Sequence, residues 1–433
     1  MTYRPNRRAF LNSAFAVTAA PVVSQLLAVD EAFGLELRAL SPDGSLPSPQ
    51  AMRQRYMLDA RVTYLNHASI GTVPEAVHAA GMRYRQICEE NPWLYIWGGA
   101  WEAAREEVRA ASARLLGCGP EDVAITHNTT EGFNLFAQGL PLGVGDEVLF
   151  SSLNHAGASI CWEHFGSQRG YSVRRFQFPL EDVPGLSVED VVRIHEEEVR
   201  EETRVLVFPH IDNIVGLRHP LRGLSAMAKG NGVEFVLVDG AQSAGMIPLD
   251  LAPSGVDGFS TSPHKWVQSV KGLGLLFVTR ELQEQLLPMW VTWGQAQWSG
   301  SARKYEDYGT RDLPEVLSLG DALDFQAALG QDRKVNRYRE MFEALQASVD
   351  GAPGVTWRSP RRWTMGGALT ALGLERGDAS AISQELFERH GIVVRPFPQP
   401  GLNSLRVSPN LMNSEGEMER LLSAVEALSR RVA

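Results

Sequence analysis

A lysine among apolar neighbours is the residue of this sequence best suited to act as a nucleophile. Lys265 follows a turn that begins at Ser262 and ends at His264, and Trp266 comes next. The apolar neighbours predict burial, which lowers the pKa of an amine because a desolvated site disfavours the ammonium form. A neutral lysine amine attacks a carbonyl carbon to form a Schiff base. Lys271 is a nearby alternative, and a single lysine is more often a solvated surface residue.

An acidic residue follows an apolar segment about one strand earlier in the chain. Residues 234–238 form a run typical of a buried parallel strand, and Asp239 comes directly after it. A carboxylate at this place is costly unless a cation pairs with it, and a protonated pyridine nitrogen would be such a cation. A helix N-cap is the structural alternative. Gln242 follows closely and is within reach of a phenolic oxygen on the same ring.

Further polar residues also come after strand-like segments. Thr129 and Thr130 follow residues 122–126 and open a helix. Hydroxyls and free backbone N–H groups at a helix N-terminus bind anions, although simple capping is the alternative. His155 follows residues 147–150 and is placed to stack on an aromatic ring, although a structural or surface histidine is commoner.

Two residues later in the chain complete the set. Asn213 follows the apolar segment 204–209 and is placed to hydrogen-bond near a cofactor oxygen. Arg406 is the best candidate to bind a carboxylate, because a guanidinium donates two parallel N–H groups; a surface salt bridge is its alternative. Pyridoxal 5′-phosphate (PLP) requires a lysine, an acid at the pyridine nitrogen, phosphate donors, a group over the ring and a cation for the substrate. The sequence therefore predicts a PLP enzyme that acts on an amino-acid-like amine.

Bulk composition excludes several other classes of protein. The 433 residues, of which 44% are hydrophobic, suggest about two domains with a large core. A net charge of −10 argues against nucleic-acid binding. The cysteines at 88, 118 and 161 are widely spaced, so a metal site or a redox dithiol is not expected. No Gly-x-Gly-x-x-Gly turn follows an early strand, which disfavours a nucleotide-binding dehydrogenase.

Alternating helix-like and strand-like segments predict an α/β fold with a mostly parallel sheet. In such a sheet, functional residues gather past the carboxyl ends of the strands. A long helical stretch, 322–349, then leads into shorter strands and helices. We expect a large PLP-binding domain at 41–315 and a smaller C-terminal α+β domain at 316–433.

Two tryptophan groups are expected to pack in the core rather than to form a substrate wall: Trp93, Trp97 and Trp101, and Trp290, Trp293 and Trp298.

The N-terminal residues resemble a signal for twin-arginine (Tat) export. Arg7 and Arg8 precede a weakly apolar stretch, 14–29, that is too short and too interrupted to span a membrane. We expect residues 1–40 to be a signal peptide and linker, the Tat export machinery to be a partner, and the protein to be periplasmic. An amphipathic N-terminal helix is the alternative.

Together these motifs resemble the class V aminotransferase family of fold-type I PLP enzymes, over nearly all of residues 55–430. Residues 262–265 resemble the family's Ser-x-His-Lys signature, in which the lysine carries PLP. Residues 308–312 resemble a segment whose threonine reaches a partner subunit's phosphate, which implies a homodimer with shared sites. The predicted cofactor-binding residues are Thr129, Thr130, His155, Asn213, Asp239, Gln242, Ser262, His264, Lys265 and Thr310. The residues predicted to bind substrate are His67, Ala68 and Arg406.

Within the family, residues 65–69 and 309–312 look most like the isopenicillin N epimerase-like branch. No cysteine follows Cys161, which disfavours the chemistry of cysteine desulfurases, because these enzymes need a nucleophilic cysteine in the small domain. An export signal on this fold also resembles the periplasmic PLP enzyme that modifies the glutamate side chain of pyoverdine siderophores.

The predicted mechanism begins with Lys265. A substrate amine displaces it, and the freed amine removes the Cα proton as general base. Epimerisation, transamination and elimination all share this first proton transfer, so the sequence leaves the outcome open. The predicted substrate is an amino acid or a peptide-linked amino group. The alternative function is an exported binding protein that kept the fold and lost the chemistry.

Overall fold

A computed structural model describes residues 45–399 and 401–431 of the protein. The predicted export signal, with Arg7 and Arg8, lies outside the described residues. Within the two described ranges, none of the helices combines the length and the apolar character that crossing a bilayer requires.

Helices and strands alternate along most of the described chain. The strands are β1 (Thr63–Tyr64), β2 (Val123–Thr126), β3 (Glu147–Ser151), β4 (Ser172–Phe176), β5 (Thr203–Pro209), β6 (Phe235–Asp239), β7 (Gly258–Thr261), β8 (Gly274–Val278), β9 (Val355–Trp357), β10 (Thr370–Leu374), β11 (Ile392–Val393), β12 (Arg395–Phe397) and β13 (Ser404–Val407). The α-helices are α1 (Pro49–Arg53), α2 (Glu75–Glu90), α3 (Pro92–Ile96), α4 (Glu102–Leu116), α5 (Thr129–Gly139), α6 (Ile160–Arg169), α7 (Val188–Glu196), α8 (Leu221–Gly230), α9 (Arg280–Gln285), α10 (Gly294–Gln297), α11 (Leu313–Leu329), α12 (Gln331–Asp350), α13 (Ala379–His390) and α14 (Glu415–Arg431).

A seven-stranded sheet forms the centre of the molecule, in the order β2-β8-β7-β6-β5-β3-β4. Neighbours from β7 to β4 pair in parallel, whereas β8 is antiparallel to both β2 and β7. Val236 and Val238 of β6 enter one apolar cluster and Phe235 and Leu237 enter another, so both faces of the sheet are covered. Burial on both faces explains why the strand reads as a continuous apolar run. The predicted α/β fold with a mostly parallel sheet is confirmed.

A second, antiparallel sheet of four strands, β12-β13-β10-β9, lies in the C-terminal part with α12, α13 and α14. It has its own apolar cluster, which includes Leu372, Leu405 and Leu421. Strand β1 pairs in parallel with β11, and this pairing brings the beginning of the described chain to the C-terminal part. The predicted domain boundary at 315/316 falls inside α11, which packs against α2 and α4.

The predicted helical stretch 322–349 is wrong as a single element. Two helices, α11 and α12, meet at Gly330, whose φ angle is +79°. This left-handed conformation interrupts a helix and favours glycine, which lacks a Cβ. The chain therefore turns at Gly330 as it leaves α11.

The expectation that the tryptophans pack in the core is wrong for most of them. Trp101 is fully buried, but Trp93 and Trp97 are 73% and 44% exposed. Helix α3 ends before Trp97 and α4 begins after Trp101, so the four-residue spacing does not lie on one continuous helix. Trp290 and Trp293 are also exposed, by 44% and 62%.

Candidate active site

The predicted cofactor residues come from neighbouring strands of the central sheet. Asp239 ends β6, Lys265 follows β7, Asn213 follows β5 and His155 follows β3. These four strands are adjacent and parallel, so their carboxyl ends lie at one edge of the sheet. The sheet topology thus brings residues that are up to 110 positions apart in the chain to a single site.

Lys265 lies in a desolvated part of this edge. The residue is only half-buried, but burial of its amine, with the positive charge of Arg406, lowers the pKa to about 8, while Asp239 acts in the opposite direction. A larger fraction of the amine is therefore neutral near physiological pH than in an ordinary lysine. The alternative nucleophile, Lys271, is exposed.

The lysine loop is held by close backbone contacts. The Gly71 N–H donates to the carbonyl oxygen of His264 at 2.8 Å. A Cβ at Gly71 would lie 2.1 Å from the Lys265 carbonyl oxygen, so a side chain at this position would displace the loop. Trp266 is fully buried, and its indole N–H donates to Oε1 of Gln242 at 2.9 Å. These contacts fix the backbone from which the Lys265 side chain extends.

Asp239 and Gln242 are ordered by the protein itself. The Ala241 N–H donates to Oδ1 of Asp239 at 2.9 Å, and no helix begins there, so the N-cap alternative does not apply. Gln242 donates from Nε2 to the carbonyl oxygen of Ala68 at 2.8 Å. A primary amide nitrogen carries two hydrogens, so Nε2 keeps a second donor for a cofactor oxygen.

The N-terminus of α5 is the place predicted to bind an anion. The Thr129 N–H and hydroxyl lie 2.9 and 2.7 Å from Oγ of Ser262. Asn128 caps the helix by accepting from the Glu131 N–H at 2.9 Å, so neither predicted threonine is the cap. Exposed Thr130 lies beside the turn after His155. Helix N–H groups and neutral hydroxyls are the donors that a phosphate needs.

Two histidines flank the lysine. Burial, aided by the positive charge of Lys265, lowers the pKa of His264 to about 4, and its Nδ1 has no hydrogen-bond partner among the described residues. His155 is exposed, but desolvation lowers its pKa, and the charges of Asp239 and Lys265 act on it. Nδ1 of His155 accepts from the Gly157 N–H at 3.1 Å. The unpartnered nitrogen of His264 and the neutral donors around it fit a phosphate and an aromatic ring.

Arg406 is a buried cation without an acidic partner. Its guanidinium donates to the carbonyl oxygen of Asn213 at 2.7 Å, to Oδ1 of Asn66 at 3.1 Å and to the hydroxyl of Ser69. No carboxylate forms an ion pair with it among the described residues. Burial, together with the positive charge of Arg395, lowers its pKa to about 9. A desolvated guanidinium held by neutral acceptors is suited to bind a carboxylate.

Sequence reasoning missed a residue that supports this clamp. Asp212 is fully buried, and its carboxylate accepts from the N–H groups of Ile214, Val215 and Leu217 at 2.6–2.8 Å. It thereby orders the turn that carries Asn213, whose carbonyl oxygen contacts the arginine. The sequence did contain a signal for this turn, because Asp212 is followed by Gly216 and both residue types favour turns. Gly216 has a φ angle of +75° in the structure.

The opening segment lies against the same edge. His67 is fully buried and burial lowers its pKa to about 3, while the Ala68 N–H donates to the hydroxyl of Ser408 at 3.0 Å. Both residues therefore anchor the segment next to Arg406.

Thr310 is exposed, and its side chain makes no hydrogen bond to another described residue, so its predicted contact with a partner subunit stays a prediction. No group of three or more metal-ligating side chains occurs in the described ranges.

Comparison with known proteins identifies similar chains. The family model for aminotransferase class-V matches residues 63–418. An isopenicillin N epimerase of Amycolatopsis lactamdurans is 33% identical over 401 residues, with 87% of this chain and 98% of that protein covered. An isopenicillin N epimerase of Streptomyces clavuligerus is 30% identical, with 87% and 97% covered. The solved structure of a C-DES mutant, with glycine covalently linked to the PLP cofactor, has a TM-score of 0.77 at 23% identity and covers 86% of this chain and 98% of its own.

Proposed function

The chain belongs to the class V aminotransferase family, and we propose that it removes the Cα proton of an amino acid or of a peptide-linked amino group. Membership confirms the predicted family and, with it, the predicted cofactor, PLP. The similarity to two isopenicillin N epimerases favours epimerisation as the outcome, with transamination as the second candidate. The observation that carries the proposal is the desolvated Lys265 amine, which follows β7, next to the strand that Asp239 ends, and on which the charges of Asp239 and Arg406 act.

Each residue of the site has a defined task in this reaction. Bound PLP supplies an electron-accepting ring that stabilises the charge left at Cα after the proton is lost. Asp239 is placed to hold the proton on the ring nitrogen, and Thr129 and Ser262 are placed to hold the phosphate. Arg406 binds the substrate carboxylate, and Lys265 accepts the Cα proton through its amine, whose pKa of about 8 is suited to a general base near neutral pH.

Replacement of Lys265 tests the proposal. The purified K265A variant is expected to lose the visible absorption band of lysine-bound PLP and to lose turnover, because no other amine occupies this position. The matched control is K271A, which removes an exposed lysine nearby and should keep both. If the band survived in K265A and disappeared in K271A, the cofactor would be bound to Lys271, and its assignment to Lys265 would be wrong.

The outcome of the reaction is read by incubating amino acids and amino-terminated peptides in D2O. Deuterium at Cα with inverted configuration indicates epimerisation, and an oxo acid indicates transamination. An unsaturated product or free ammonia with loss of a β-substituent indicates elimination. Absence of deuterium uptake from every substrate, in protein that retains PLP, would contradict Cα deprotonation and support the binding-protein alternative.

We further propose that the active protein is a homodimer. Two exposed tryptophans, Trp97 and Trp293, lie against each other and form a face that we call the tryptophan surface. The rings of Trp97 and Trp293 lie 5.7 Å apart, and a cavity of about 350 Å³ beside them is also lined by Gly309. Exposed aromatic side chains are typical of interfaces, and this face adjoins Thr310. A second copy docked here would cover the tryptophans and approach Thr310.

Export remains part of the proposal. Arg7 and Arg8 support a periplasmic location reached through the Tat machinery, which carries folded proteins with their cofactors. The narrower proposal that the enzyme tailors a siderophore rests on the combination of this signal with the family. It requires a peptide-linked substrate that is present in the periplasm.

A further inference from the structure

Two arginines lie directly opposite each other in the C-terminal sheet. Arg395 of β12 pairs with Arg406 of β13 in antiparallel register. Residues paired in this way extend their side chains from the same face of the sheet, with Cβ atoms about 5 Å apart. Arg395 therefore lies on the face from which Arg406 reaches the ends of the central strands. Like charges in directly opposed positions destabilise a sheet unless something compensates them.

Among the described residues, no carboxylate forms an ion pair with either arginine, although the charge of Asp212 acts on Arg406. Arg406 donates to neutral oxygens alone, as described above. The exposed side chain of Arg395 makes no ion pair or hydrogen bond to another side chain in the described ranges. The nearby carboxylate of Asp212 is engaged by three backbone N–H groups. The charge of Asp239, at the end of β6, acts on Lys265.

The charge of Arg395 reaches the active site. It lowers the pKa of Arg406 and, together with Lys265 and Arg406, it lowers the pKa of His155. Arg395 is exposed whereas Arg406 is buried, so Arg395 lies at the rim of the site and Arg406 lies inside it. A ligand that places one carboxylate at the inner position and another at the outer position would remove the repulsion between the two guanidinium groups.

We propose that Arg395 binds a second acidic group of the substrate, so that the enzyme acts on amino compounds with a distal carboxylate. This inference rests on the proposed function, which assigns the α-carboxylate to Arg406. The substrate class is then an acidic amino acid, or a peptide-linked one that keeps a second carboxylate. The distal group binds at the rim, where a longer substrate extends towards solvent.

Binding without turnover provides the first test. The holoenzyme is titrated with glutarate, which has two carboxylates and no amine, and with pentanoate, which has one. Glutarate should bind at least 10-fold more tightly, which is the size of a charge-assisted hydrogen bond. R395Q should remove most of this preference, and R395K should retain part of it. R376Q is the control. Arg376 is also exposed, but it follows the end of β10, whereas Arg406 pairs with Ala371 near the beginning of that strand.

Turnover provides the second test. The ratio of kcat/KM for glutamate or α-aminoadipate to that for norvaline or norleucine should fall about 10-fold or more in R395Q, and should stay at the wild-type ratio in R376Q. Equal affinity of the wild type for glutarate and pentanoate, or an unchanged ratio in R395Q, would overturn the role of Arg395. If glutarate is preferred through Arg395 but no amino acid exchanges its Cα proton, the substrate-binding inference holds and the proposed reaction fails.

Discussion

Three buried histidines next to the central sheet should make the protein sensitive to acid. The ring of His195, in α7, lies 5.4 Å from the ring of His219. The backbone N–H of His219 donates to the backbone carbonyl oxygen of His210 at 2.8 Å. Neither ring nitrogen of His219 has a hydrogen-bond partner among the described residues. Burial lowers the pKa of His195 to about 4 and that of His210 to about 3, and it lowers the pKa of His219 well below 6.5.

The lowered pKa values of the three histidines make the folded state less stable in acid. In the unfolded chain each histidine takes up a proton below about pH 6.5, whereas in the fold it stays neutral until a much lower pH. The unfolded state therefore binds more protons, and the stabilisation present above pH 6.5 is lost as the pH falls towards 4. At pH 5 the loss is about 2 kcal/mol for His195 and about as much for His210, and His219 contributes in the same direction.

One nearby group acts in the opposite direction. Burial raises the pKa of Asp212 to about 6, so the folded state takes up this proton before the unfolded state does. This contribution offsets about 1 kcal/mol of the loss at pH 5. A variant that removes one histidine and leaves Asp212 in place isolates the histidine effect, because the Asp212 contribution is the same in both proteins.

The informative variant is H219F. The ring of His219 packs among Phe178, Phe208 and His195, so phenylalanine preserves the aromatic contacts and removes two unpartnered nitrogens. The free energy of unfolding is measured by urea denaturation of the holoenzyme at pH 7.5 and at pH 5. Between these pH values the variant should lose less stability than the wild type, by up to about 2 kcal/mol, which is the limit set by an unfolded pKa of about 6.5. A parallel loss in the two proteins would show that the His219 ring is already protonated in the fold, and would refute the reasoning.

Two further predictions concern assembly and location. Changing Trp97 and Trp293 to serine should raise the dissociation constant of the homodimer by at least about 100-fold, because exposed aromatic anchors dominate interfaces. The dissociation constant is measured by sedimentation. The control is V144S, because Val144 is 90% exposed on another loop. A monomer in the wild type, or a dimer that withstands both changes, would contradict the tryptophan surface as the interface. Changing Arg7 and Arg8 to lysine should retain the protein in the cytoplasm on cell fractionation, and an unchanged location would refute the export signal.

The sequence alone determined the family, the cofactor and the α/β class of the fold. Apolar runs with polar residues directly after them are local features, and the burial of parallel strands on both faces produces them wherever they occur. Asp239 and Lys265 were therefore recognisable as strand-end residues before their distance in space was known. The same local reasoning was wrong for Trp93 and Trp97, because a regular spacing does not show where a helix ends.

Only the tertiary structure decided what surrounds those residues. Arg395 and Arg406 are eleven positions apart in the chain, and their opposition depends on the pairing of β12 with β13. The contact between His195 and His219 likewise depends on the packing of α7 against the central part of the molecule. Such contacts join distant segments, and no local pattern encodes them, because the register of strands and the packing of helices follow from the burial of the whole chain.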